Sequence, residues 1–195
     1  MSLQLLLARA DFVQNARSSV GYCRASGIDW NATLPATGGI FIASIVAEPR
    51  RRFRFQADGT KAAVIEAIAA DAESVTDIVA WPVDDPNCVL TMFGTSVLGE
   101  AAAANPSTFF DNRPLRLFRS PLGWLQAGCD GAVILDLPRA ARWLRDIDGR
   151  LAAEDTAHAL QIEMALLATI KVGRILVPRR HRVAACDRPP SGGPG

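Results

Sequence analysis

The sequence predicts an α/β protein with a Rossmann-like, mostly parallel sheet and a hairpin at its N-terminal edge. Two observations lead there. Beyond residue 56, apolar runs of strand length alternate with longer segments of helical period, the pattern of a parallel sheet covered by helices. Before them, Arg52-Phe53-Arg54-Phe55 alternates strictly between charged and aromatic side chains, which marks a half-exposed or edge strand with its phenylalanines turned inward.

Taken in order, Leu3 to Val20 reads as a weakly helical N-terminal arm. The Gly-, Asn-, Pro- and Thr-rich stretch behind it ends at Gly38-Gly39, where the ordered core is expected to begin. Ile40 to Val46 is a strand by its apolar, β-branched content, and Glu48-Pro49 turns into the second strand, Arg52 to Phe55. After the Asp58-Gly59 turn, Lys61 to Ala72 is expected as an amphipathic helix with Val64, Ile65 and Ile68 on one side. Thr76 to Trp81 is expected as a strand stopped by Pro82. A helix over Cys88 to Leu98 and a long loop over Gly99 to Arg113 follow. Leu115 to Phe118 then reads as a strand, Pro121 to Ala127 as a short helix and Ala132 to Leu135 as a strand. Asp136 has the chemistry of an N-cap for a helix from Pro138 to Arg145, because its carboxylate accepts free backbone N–H groups. Arg150 to Ala153 reads as a strand, Asp155 to Ile170 as a long apolar helix and Arg174 to Val177 as the last strand. The chain thus divides into an arm (1–37), an α/β domain (38–178) and a disordered basic tail (179–195). Trp81, Trp124 and Trp143 end strands or join apolar stripes and are expected in the core.

The 195 residues suit one domain, and 49% hydrophobic with 21% charged residues excludes a disordered chain, a collagen and a coiled coil. The formal charge is only +1, so a strongly basic or acidic character is excluded as well. Its distribution is uneven: residues 1–60 sum to +3 (seven basic, four acidic), 61–112 to −7 (one basic, eight acidic) and 113–195 to +5 (thirteen basic, eight acidic). Cys23, Cys88, Cys129 and Cys186 form no C-x-x-C pair and no zinc-ligand spacing; they read as small buried apolar residues of a cytoplasmic protein. No apolar run approaches membrane-spanning length, so no membrane partner is expected.

The common catalytic fingerprints are absent: the chain holds no G-x-G-x-x-G, no P-loop, no H-E-x-x-H and no G-x-S-x-G, the last being missed by one residue in Gly94-Thr95-Ser96-Val97-Leu98-Gly99. In an open parallel sheet the ligand crevice lies outside the carboxyl ends of the strands. Asp84, Asp136, Glu154 and Asp155 fall there, and four carboxylates on one rim would suit Mg²⁺ and phosphoryl transfer or nuclease chemistry. The same residues also read as ordinary helix caps and turn residues. His158, one turn beyond Glu154, is placed for a carboxylate to orient its ring. The basic candidates are Arg50, Arg51, Arg52 and Arg54 on the hairpin, Arg179 and Arg180 in the tail, and Arg139, Arg142 and Arg145 at three-residue spacing on a helix. Clusters of this kind neutralise nucleic-acid phosphates.

The segments Ile78-Val79-Ala80-Trp81-Pro82, Asn105-Pro106-Ser107-Thr108-Phe109-Phe110, Arg113-Pro114-Leu115-Arg116 and Gly128 to Asp136 resemble a group of uncharacterised alphaproteobacterial mobile-element proteins encoded near primase or helicase genes. The resemblance spans about residues 75 to 178. It implies a setting, the replication or maintenance of a mobile element, and no catalytic residue. The leading expectation is therefore a non-catalytic accessory module, without cofactor, that contacts nucleic acid or a replication protein through its arginines. A Mg²⁺-dependent phosphotransferase or nuclease, and a module that only binds protein, are the alternatives.

Overall fold

The computed structural model describes residues 3–15 and 17–170. The expected strand Arg174–Val177 and the basic tail with Arg179 and Arg180 lie outside them. The chain opens with helix α1 (Leu3–Asn15), a two-residue strand β1 (Arg17–Ser18), and helices α2 (Val20–Ala25) and α3 (Trp30–Thr37). Asp29 caps α3 by accepting the Asn31 and Ala32 N–H groups, and Gly38 ends it at φ 64°, the left-handed turn that glycine adopts without strain. These helices pack on the strands that follow: the Phe12 ring meets Phe41 edge-on at 5.0 Å and stacks near Phe55.

The sheet that follows is not Rossmann-like. Strands β2 (Phe41–Glu48), β3 (Arg52–Phe55), β4 (Thr60–Ile68), β5 (Val75–Pro82) and β6 (Leu90–Thr91) close into a five-stranded barrel, in the cyclic order β2-β3-β6-β5-β4 and back to β2. Every pairing in the ring is antiparallel except the short β3–β6 contact. Closure follows from strand length. β2 pairs through Phe41 to Ile45 with β4 and through Ile45 to Glu48 with β3, so one strand joins both ends of the sheet. A glycine is needed at position 59 because a Cβ there would overlap the Ile45 backbone.

Strand β4 occupies most of the segment Lys61 to Ala72 for which the sequence predicts a helix. Its residues Ala62 to Ile65 are fully buried on both faces. Ala62 and Val64 point toward Ile45, Phe53, Ile78 and Leu90 in a cluster fed by all five strands. Ala63, Ile65 and Ala67 point the other way, toward Ile40, Val79, Trp81 and Trp124. A strand apolar on both faces loses its two-residue alternation and reads as a helix, the more so when it is rich in alanine. The helix expected over Cys88 to Leu98 is likewise absent, replaced by β6, a loop and β7 (Val97–Leu98).

Beyond the single β3–β6 contact, parallel pairing occurs in the C-terminal half. Here β7, α4 (Glu100–Ala104), β8 (Leu115–Phe118), α5 (Pro121–Gln126), β9 (Ala132–Ile134), α6 (Leu137–Arg145), β10 (Leu151–Ala152) and α7 (Thr156–Thr169) build a small sheet in the order β10-β8-β9-β7. Strands β10, β8 and β9 run parallel, and β7 is antiparallel to β9. Helices α6 and α7 cover it through Ala140, Leu144 and Ile162. The sheet docks on the barrel where Trp124, Leu98, Phe118 and Val133 meet Trp81 and Val79. Trp81 and Trp124 are buried as expected and spend their indole N–H groups on the Tyr22 hydroxyl and the Gly131 carbonyl; Trp143 is only half-buried. Of the cysteines, Cys23 is buried, but Cys88 is exposed, against expectation. Among the described residues no helix is long and apolar enough to cross a membrane.

Candidate anion-binding site

The turn between β2 and β3 is three residues, Pro49 to Arg51, and it closes with Arg50 at φ 62° and Arg51 at φ 58°. Tight hairpins need such left-handed torsions, but Asn and Gly usually supply them. Two arginines here carry backbone strain of about 1 kcal/mol or more each. Arg51 reaches away from the barrel: its Nε donates to the Val89 carbonyl at 3.2 Å and its Nη1 to Leu135 at 3.5 Å, at the end of β9. Arg52 opens β3 opposite Glu48, and its guanidinium lies against Gly94, where any Cβ would collide with it. Its Nη1 is buried and has no hydrogen-bond partner among the described residues.

Gly94 and Thr95 are held in place by Asp77 of β5, a carboxylate with no exposed surface. Asp77 Oδ1 accepts the N–H groups of Met92 and Phe93 at 3.0 and 2.8 Å, and Oδ2 accepts that of Thr95 at 2.6 Å. The opposite wall is the start of α6. Asp136 caps it by accepting the Arg139 N–H at 3.2 Å, and the Arg139 guanidinium donates to the Gly94 carbonyl at 2.5 Å. Between these walls lies a cavity of about 230 Å³, lined by Arg50, Arg51, Arg52 and Arg139, with Asp136 as its one acid and Thr91 and Thr95 as hydroxyl-bearing neighbours. Four guanidinium groups and one carboxylate leave a strongly positive pocket. The place obeys the strand-end rule: Asp136 and Arg139 follow the carboxyl end of parallel strand β9.

Three of the four hairpin arginines therefore meet here. Arg54 does not: it is exposed and paired with Glu48 at 3.3 Å. Arg139 joins them from 85 residues beyond Arg54, and its spacing of three from the cap Asp136 was the available signal. Gly94 and Thr95 belong to the near-miss hydrolase pattern, and their role is structural. Asp77 was visible as a lone carboxylate inside an apolar strand, a placement that requires dedicated donors.

The carboxylates considered for Mg²⁺ are dispersed. Asp84 is exposed in the turn after β5 of the barrel. Asp136 sits in the arginine cavity, and Glu154 and Asp155 follow β10, two strands away from β9. Between them, at the end of β8, Arg119 grips Asp155 through both guanidinium nitrogens at 2.6 and 2.8 Å and gives its backbone N–H to Glu154 at 3.0 Å. That guanidinium holds the Asp155 carboxyl well below the usual carboxylate range. Among the described residues no three His, Cys, Asp or Glu side chains gather as metal ligands.

His158 is buried, and its Nδ1 accepts the Glu154 N–H at 3.3 Å, so the neutral ring completes the first turn of α7. Burial pushes its pKa down, and the charge of Arg119 adds to this. As pH falls, the unfolded chain therefore takes the proton first. The stabilising contribution is complete above the unfolded value of about 6.5 and is lost as pH drops from there toward the folded value. Urea midpoints measured at pH 7.5 and 5.5 are expected to be lower at the acid pH. His158→Asn, which keeps an acceptor and does not titrate, is expected to reduce that difference; an unchanged difference would assign it to other groups.

A second cleft, about 550 Å³, is bounded by Phe109, Trp143 and Ile147 with Glu100, Asp146 and Asp148. Burial raises the Glu100 pKa above its ordinary value. This cleft carries the charge opposite to that of the arginine cavity and would repel phosphate.

Barrel, parallel half-sheet and arginine cavity together define a two-part α/β protein with an arginine-lined cavity at its internal junction. Comparison with protein-family models, curated proteins and solved structures finds no match to this chain.

Proposed function

We propose that this protein is a non-catalytic accessory module that contacts nucleic acid through phosphate held in the arginine cavity. The observation that supports this reading is the convergence of Arg50, Arg51 and Arg52 with Arg139 on one small pocket. Guanidinium groups pair with phosphate through two parallel hydrogen bonds, and four of them around a cavity concentrate positive potential that a net charge of +1 does not reveal. The strained torsions of Arg50 and Arg51 agree with it, because a turn selected for stability alone would carry Asn or Gly. In this reading the module is cytoplasmic and serves the replication or maintenance of a mobile element, the setting that the resemblance of residues 75 to 178 implies.

Fluorescence anisotropy of a 3′-labelled, 5′-phosphorylated single strand tests the reading. One occupied cavity neutralises few phosphates, so log K against log salt is expected to have a slope of only about −1. Arg50→Gly is expected to weaken binding at least tenfold while raising the melting temperature by about 2 °C, since it removes a charge and relieves a left-handed torsion. Opposite signs separate loss of the site from loss of the fold. Unchanged affinity in this variant would overturn the proposal.

A further inference from the structure

We infer that the arginine cavity selects a phosphomonoester, the terminal phosphate of a strand or of a free ligand, over the phosphodiesters inside a strand. This rests on the anion-binding reading above and adds the ligand class. The first argument is size. A cavity of about 230 Å³ falls below the roughly 300–1,000 Å³ of pockets that enclose drug-sized ligands. A phosphate with its single ester oxygen is the size of group such a cavity takes.

The second argument is shape. The cavity is a half-open crevice between the hairpin turn and the start of α6, with the buried residues Thr91 and Gly94 in its lining. A terminal phosphate enters such a crevice with one chain trailing from its mouth, whereas an internal phosphodiester must lead two chains out past the same walls.

Charge is the third argument. The lining carries four arginines against Asp136. A phosphomonoester bears about −1.5 to −2 near neutral pH, compared with a single charge on a diester, and it offers three terminal oxygens in place of two. The Nη1 of Arg52, which lines the cavity, is buried and has no hydrogen-bond partner among the described residues, so an anion held there meets a guanidinium with an unused donor.

The test uses the full chain and three probes: one 3′-labelled single strand carrying a 5′-phosphate, the same strand ending in a 5′-hydroxyl, and AMP with inorganic phosphate as competitors. The phosphorylated strand is expected to bind at least tenfold tighter than the hydroxyl strand. That ratio is expected to fall toward one in Arg50→Gly and Arg139→Gln and to stay unchanged in Arg54→Gln, whose arginine lies outside the cavity. A strand that outbinds AMP identifies a strand end as the source, and AMP binding as tightly as the strand identifies a free phosphomonoester. Equal affinity for the two strands, both reduced in Arg50→Gly, overturns the selection for monoesters and leaves the module reading standing. If neither strand binds but AMP does, and Arg50→Gly abolishes it, the monoester inference stands and the nucleic-acid reading falls. No binding of any probe overturns both.

Discussion

Asp77→Ala is expected to lower the melting temperature by about 10 °C. The Asp77 carboxylate is fully buried and holds the Met92, Phe93 and Thr95 N–H groups, all from the loop that follows β6. Removing it leaves the Phe93 and Thr95 N–H groups partly buried without an acceptor, at about 1–3 kcal/mol for each group that water does not reach, while Met92 keeps the Ile78 carbonyl at 2.9 Å. A total of about 3–4 kcal/mol corresponds to about 10 °C in a chain of this size, where 1 kcal/mol moves the midpoint by about 2–4 °C. Asp77→Asn grades the effect. One carbonyl oxygen still serves Met92 and Phe93 while an NH₂ group faces Thr95, one of the two donors that rely on Asp77 alone, so about half of the loss is expected. Calorimetry on both variants checks this. A shift under about 3 °C for Asp77→Ala would mean that packing, not the carboxylate, holds the loop.

Gly94→Ala is expected to weaken binding of the 5′-phosphorylated strand at least tenfold without removing any charge. Gly94 has φ 90°, where a side chain costs on the order of 1–2 kcal/mol. The added Cβ would land on the Arg52 guanidinium, which must then swing off the cavity wall. Because the displaced group is the end of a flexible side chain, the stability cost remains near that of the torsion, about 3–5 °C in melting temperature. The loss of affinity is geometric. Unchanged affinity, read by anisotropy, would show that the ligand responds to the overall positive field and not to an arranged pocket.

Local patterns in the sequence located many elements and much of the chemistry. The alternation of Arg52 to Phe55, the apolar run before Pro82 and the short runs at Leu115 and Ala132 all became strands close to their expected bounds. Asp136 and Asp155 cap α6 and α7, a role set by the two or three residues that follow each. The hairpin arginines were legible as candidates because their clustering is local.

What the sequence by itself determined is local chemistry: which short runs extend, which aspartates cap helices and where the arginines cluster. Tertiary structure decided the rest, wherever the deciding partner is distant along the chain. Lys61 to Ile68 has the composition of a helix and becomes a strand because apolar layers cover both its faces, and no window along the chain contains those layers. Closure of the barrel depends on β2 meeting β4 on one edge and β3 on the other. The cavity has the same origin. Arg50, Arg51 and Arg52 become a pocket only when the parallel half-sheet docks on the barrel through Trp81 and Trp124 and brings Arg139 and the start of α6 against the hairpin. Charge belongs to each residue alone, whereas the convergence of four charges is a property of packing.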